Sequence, residues 1–211
     1  MTSDDKSIRI PRKVESMPGA VPSRAHPLDT MLAISDVIQN HRYAAIYARV
    51  RELGTPTVEE IGDGLDSSKT TVYEDVNHLQ EVGILERVTD TQPHRFRATS
   101  IGMTVEHGSD TYQISPTLLI ALARAESNEN IRLYRDRNGV AGLATAVEYA
   151  RDYVRSRTSA RVMAREEDIP VLEAETVLQE LREIVLSVEP ELAEEPDLEA
   201  LDAAADESLP K

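Results

Sequence analysis

The apolar positions between residues 28 and 98 keep a helical rhythm that gives way to alternation at its end. Leu28, Met31, Leu32, Ile34, Val37 and Ile38 repeat at the spacing of one helix face. Ala45, Ile46, Ala48, Val50 and Leu53 repeat it again and stop at Gly54, a residue suited to the left-handed turn that closes a helix. In "TPTVEEIGDGLD", Thr57 with Glu60 three positions on forms a capping box, and Ile61 and Leu65 give a short helix its apolar side. In "SSKTTVYEDVNHLQEVG", Ser67 or Ser68 is the N-cap. Val72, Val76, Leu79 and Val82 share one face of this helix, and Gly83 ends it. "ILERV" and "HRFRAT" then alternate on either side of a turn containing "DTQP", as two half-buried strands do.

Beyond residue 101 the pattern predicts a hairpin in "MTVEHGSDTYQIS", turning around His107–Asp110. Ser115-Pro116 is an N-cap followed by proline at the first helical position, and "PTLLIALARAES" continues as a helix. "NENIRLYRDRNG" is a second helix stopped by Asn138-Gly139, and "VAGLATAVEYARDYVRSR" a third. Thr158 or Ser159 caps "ARVMAREED", and Pro170 opens "VLEAETVLQELREIVL". The predicted organisation is a disordered arm (1–27), a three-helix unit with its ribbon and a leading helix (28–101), a hairpin connector (102–114), a helical domain (115–186) and an acidic disordered tail (187–211) with one short helix near 197–205. A shift of 102 residues aligns Thr57, Ile61, Val76, Leu79 and Val82 with Ser159, Met163, Leu178, Leu181 and Ile184. That spacing suggests a second helix-turn-helix-like unit at 159–186, although any short helix followed by an amphipathic one would align as well.

Helix, short helix, helix and two-stranded ribbon is the order of a winged helix-turn-helix. Through "TVEEIGDGLDSSKTTVYEDVNHLQEVGILERV" and "HRFRAT", residues 42–99 resemble the MarR-like and TrmB-like winged-helix regulators of archaea and bacteria. Over about residues 30–186 the arrangement also resembles haloarchaeal proteins that join an N-terminal winged helix to an all-helical C-terminal region. The resemblance implies a mainly α fold with a small β-wing, and DNA-binding regulation.

With Val72, Val76 and Leu79 toward the core, Thr70, Glu74, Asn77 and Glu81 point outward, and Lys69, Thr71, Tyr73 and His78 flank them. The N-terminal half of such a face meets base edges in the major groove. The candidate DNA-binding residues are therefore Ser68, Lys69, Thr70, Thr71, Tyr73, Glu74 and Asn77. Hydroxyls bond bases or phosphates, Asn pairs with adenine, and Glu accepts from cytosine N4. Asp75 lies toward the neighbouring helix and is expected to bond within the domain. On the wing, Arg95 and Arg97 alternate with Phe96 and suit backbone or minor-groove contact, with Arg87 on the partner strand. The other reading of that arginine pair is a strand edge kept charged against aggregation. Lys6, Arg9, Arg12, Lys13 and Arg24 of the arm either track a groove or are solvated.

Charge complicates this picture. Acids outnumber bases 38 to 23, for a formal net charge of -15, and the only lysines are Lys6, Lys13, Lys69 and Lys211. The chain has no Trp and one Phe. A lysine-poor, acid-rich surface that stays hydrated in concentrated salt fits a halophilic archaeon. Phosphate affinity falls steeply with salt. At about 1 M the Debye length is only about 3 Å, so an acidic protein working there loses little by its charge. There are no cysteines. His26, His41, His78, His94 and His107 fall at no metal-ligand spacing, no glycine-rich phosphate loop occurs, and no catalytic carboxylate pair stands out. The sequence thus calls for no metal, no cofactor and no enzymatic activity.

No apolar run is long enough to span a bilayer, and a cytoplasmic protein is expected. The reading is a sequence-specific regulator that binds double-stranded DNA, as a homodimer built from the apolar faces of residues 28–39 and 140–157. The other class is a winged-helix module that docks proteins without DNA. The C-terminal helices dimerise or sense, and the sequence does not fix whether there is a small-molecule effector.

Overall fold

The computed structural model describes residues 27–107 and 110–193. The arm before residue 27, with its five basic residues, and the predicted short helix near 197–205 lie outside the described residues. Among the described residues are eight α-helices and two separate two-stranded antiparallel ribbons. The fold is mainly α, a winged helix followed by helices.

The N-terminal unit is built from α1 (Pro27–Gln39), α2 (His41–Leu53), α3 (Val58–Gly62) and α4 (Lys69–Glu81), then β1 (Leu85–Arg87) and β2 (Phe96–Ala98). Local chemistry fixes the ends. Asn40 caps α2 by accepting from the Arg42 N–H. Thr57 and Glu60 complete both halves of the capping box on α3. Ser68 caps α4 by accepting from the Thr71 N–H. Gly83, at φ 81°, takes the left-handed turn after α4 that a side chain would disfavour.

In the ribbon, Leu85 pairs with Ala98 and Arg87 with Phe96. The Phe96 N–H also donates to the Pro56 carbonyl at 2.9 Å, so the chain entering α3 lies along the wing. Phe96 and Ala98 face inward, onto the core that α2 and α4 line with Ile46, Tyr47, Val50, Val72, Val76 and Leu79. Tyr47 is fully buried, and its hydroxyl donates to the Thr99 carbonyl at 3.0 Å, locking α2 to the end of the wing. Leu79→Ala removes a side chain with no exposure. It is expected to cost about 3 kcal/mol, read as a lower midpoint in urea unfolding.

A second hairpin follows, β3 (Met103–His107) paired with β4 (Asp110–Ile114) in the register Met103 to Ile114 and His107 to Asp110. The C-terminal helices are α5 (Pro116–Arg124), α6 (Glu129–Val154), α7 (Ala160–Glu166) and α8 (Val171–Val188). Ser115 and Ser159 cap α5 and α7 through their hydroxyls. The predicted stop at Asn138-Gly139 is present as a break inside α6, where Gly139 has φ 71° and ψ -177°. Only glycine enters that region without strain.

α5 is buried on both sides, packing on α2 of the winged unit as well as on α6 and α8. The core therefore runs without interruption from Ala33 to Leu192. Two sequence expectations change here. The alanine-rich face of 140–157 is not open to a second copy, because Leu143, Ala146, Val147 and Ala150 are buried in the core where α6 packs on α8. The segment expected to begin the acidic tail is ordered structure up to residue 193. α8 runs to Val188, and a 3-10 turn (Pro190–Ala193) buries Leu192.

The shift of 102 has a structural counterpart in where helices begin. α3 and α7 start at Val58 and Ala160, α4 and α8 at Lys69 and Val171. Met163, Leu178 and Leu181 are buried as Ile61, Val76 and Leu79 are. α8 has no glycine stop and no ribbon after it.

Candidate nucleic-acid interface

α3 and α4 form the helix-turn-helix, and three contacts set the attitude of α4. Asp75 faces inward and is 5 % exposed. It accepts from Arg42 of α2, Nε to Oδ2 at 2.9 Å and Nη2 to Oδ1 at 3.3 Å. Its expected role within the domain is thus filled, and the bond raises the Arg42 pKa. Tyr73 donates its hydroxyl to Glu59 Oε1 at 2.5 Å, pinning α4 to α3. That bond holds the Glu59 carboxyl below its ordinary value and raises the phenol. On the far flank, the His78 ring lies 5.2 Å from that of Tyr43, and its Nε2 is 3.8 Å from Asp36 of α1.

The sequence candidates divide into two groups. Lys69, Thr70, Glu74 and Asn77 are exposed along the outer face of α4, and none of their side chains makes a hydrogen bond or ion pair among the described residues. The other five already have partners. Ser68 and Thr71 share a hydroxyl–hydroxyl bond at 2.8 Å as part of the cap. The Tyr73 hydroxyl belongs to Glu59.

On the wing, Arg95 Nη1 donates to the Thr55 carbonyl at 2.7 Å and to Glu60 Oε2 at 3.3 Å. Arg97 Nη2 donates to Glu86 Oε2 at 2.7 Å on the paired strand. The Glu60 carboxyl is held below its ordinary value first by the Thr57 N–H and then by Arg95. Both wing arginines are therefore neutralised locally. Such exposed pairs contribute about 0–1 kcal/mol and open readily to a better acceptor. Sequence reasoning missed Arg42, Glu59 and Glu86. The capping box pointed to Glu60, but no pattern in the chain pairs it with a residue 35 positions away.

Residues 68–98 carry four bases (Lys69, Arg87, Arg95, Arg97) and five acids (Glu74, Asp75, Glu81, Glu86, Asp90). With Arg42 and Glu60, the partners of Asp75 and Arg95, the balance is five bases to six acids, nearly neutral on a chain of net charge -15. A short capped helix turning into a second with an exposed polar face, followed by a wing, points to a class: the helix-turn-helix DNA-binding transcription regulators. Residues 42–90 match the family model of the DeoR-like helix-turn-helix domain, which supports that class. Residues 125–190 match a second model, described as a family of unknown function (DUF7437). No curated protein and no solved structure matches the chain. No described helix is long and apolar enough to cross a membrane.

Proposed function

We propose that the chain is a sequence-specific transcriptional regulator that reads double-stranded DNA with the outer face of α4. The observation that carries this is the set Lys69, Thr70, Glu74 and Asn77, exposed and unbonded on the helix that three internal contacts hold in place. Thr70 and Asn77 offer donors and acceptors to base edges, and Glu74 accepts from cytosine. Lys69, at the start of the helix, reaches phosphate. Arg95 and Arg97 exchange Glu60 and Glu86 for phosphate when the wing meets the backbone. The near-neutral strip supports binding in concentrated salt, the condition of a halophilic archaeon, where a basic field is of little use. The winged helix keeps its resemblance to MarR-like and TrmB-like regulators beside the DeoR-like match.

The working form is a homodimer on a pseudo-palindromic site, as symmetric helix-turn-helix dimers are. With the face of 140–157 consumed by the core, its interface is α1, where Met31 and Leu32 are 50 % and 62 % exposed. The pair α7–α8 is a second helix-turn-helix-like unit without a reading face. Val171, Leu172, Thr176 and Gln179 occupy the positions of Lys69, Thr70, Glu74 and Asn77, and the two polar ones are already bonded, Thr176 to the Leu172 carbonyl and Gln179 to the Tyr153 hydroxyl. Selection of bound fragments from a random duplex library in molar KCl tests the proposal. An inverted-repeat motif is the expected outcome. Absence of any enrichment with folded protein would reject DNA reading and leave a protein-docking winged helix.

A further inference from the structure

Where the winged unit meets the C-terminal helices there is a cleft of about 900 Å³. Arg49 and Arg51 of α2, Arg97 of the wing and Arg124 of α5 line it, against only two acids, Glu52 and Asp63. Four arginines against two acids in one concavity run counter to the net charge of -15 of the whole chain. Two of them are committed, Arg49 to Glu52 at 3.1 Å and Arg97 to Glu86 at 2.7 Å. The side chains of Arg51 and Arg124 make no hydrogen bond or ion pair among the described residues. The Nε of Arg49 is buried and has no acceptor. Two guanidinium groups without a carboxylate partner beside two that have one leave an excess of positive charge in the cleft, which a bound anion with several oxygens meets through paired N–H···O bonds.

We propose that this cleft is a binding site for a small polyanion, a phosphorylated or polycarboxylate metabolite, held by Arg51 and Arg124 with Arg49 beside them. The apolar part of the ligand lies against Ile120 and Val188. Such a ligand touches α5 and the end of α8 on one side. On the other it touches Arg97 of the wing and Gly64 and Leu65, which lead into α4. It would bridge the two halves of the molecule, and on the regulator reading above it is the effector. The chain offers a competing occupant. Its own acids Glu194, Glu195, Asp197 and Glu199 follow soon after Val188 in the sequence, and covalent linkage raises their effective concentration.

The test needs no DNA, so its failure is separate from failure of the regulator reading. Thermal unfolding of the full chain is followed with inorganic pyrophosphate and, separately, citrate, each against KCl of equal ionic strength. At a hundredfold excess over Kd the expected rise in Tm is about 5 °C or more. It should vanish in Arg51→Ala/Arg124→Ala and shrink in the milder Arg124→Gln, with circular dichroism unchanged. A response to pyrophosphate alone assigns phosphates, and one to citrate alone carboxylates. No response in the native chain overturns the proposal. A response that appears only when Glu194, Glu195, Asp197 and Glu199 are all changed to Gln or Asn also overturns it and gives the cleft to the tail. An equal response in the double variant means binding elsewhere and overturns it as well.

Discussion

Thr70→Ala combined with Glu74→Ala is expected to lower affinity for the selected duplex about a hundredfold, since each good base contact is worth about 1–3 kcal/mol. Both side chains are exposed and bonded to nothing else in the described chain. Their loss should therefore leave the unfolding midpoint close to that of the native chain, and alanine favours the helix. Binding to random duplex should hardly change, because neither residue is cationic. Competition titrations in molar KCl separate the two quantities. An equal loss on both duplexes would mean that α4 meets the backbone rather than the bases. The same titrations across a salt series should give a shallow slope, because few cations meet phosphates. Arg95→Ala and Arg97→Ala should each flatten it further and weaken both duplexes alike.

The largest stability effect away from the apolar core is expected at Arg151. Its side chain is only 13 % exposed. It donates through Nε and Nη2 to Glu189, the Nη2 bond being 2.7 Å, through Nη1 to Glu148, and through Nη2 to the Ser115 hydroxyl at 3.0 Å. Thr117, fully buried, donates to the same Glu189 at 2.5 Å. One guanidinium thus ties the cap of α5, the body of α6 and the end of α8 together. Arg151→Met leaves two part-buried carboxylates with only the more distant Arg155 as a nearby cation. The expected loss is about 3 kcal/mol.

The pH dependence carries the sign. Burial raises the Glu148 carboxyl despite Arg151. Burial also opposes ionisation of Glu189, but the bonds from Arg151 and Thr117 outweigh it and hold that carboxyl below its ordinary value. In the native chain Glu189 contributes stability above the unfolded carboxylate pKa, and this is lost as pH falls through its folded value. Without Arg151 the Glu148 carboxyl stays raised by burial, and Glu189 loses the largest of the contacts that lower it, keeping Thr117 and the more distant Arg155. Paired carboxylate charge near neutrality then costs stability, and protonation relieves that cost as pH falls. The difference between variant and native chain should be largest near about pH 7 and smaller near about pH 4.5. Urea unfolding at both values measures it. A difference independent of pH would show that lost packing, not charge, is the cause.

The residues that define the helix-turn-helix were legible because their signals are local. Thr57 with Glu60, Ser68 with Thr71 and Ser115 with Leu118 are cap bonds across three residues, whose geometry the helix itself dictates. Gly83 and Gly139 mark turns that only their own backbone freedom permits. The spacing of Val72, Val76 and Leu79 determined which side of α4 is buried, and hence that Thr70, Glu74 and Asn77 face outward and Asp75 inward.

What the chain could not show by itself are the pairs made across long separations. Arg42 meets Asp75 across 33 residues, Glu60 meets Arg95 across 35, and Arg151 meets Glu189 across 38. Charged side chains have many acceptable partners, and loop paths decide which one is near. The same holds for the burial of the alanine face of α6, for Leu192 folding back onto the core, and for four arginines lining one cleft. Each depends on how α5 wedges between the winged unit and α8, a packing choice settled by the whole core rather than by any one stretch of sequence.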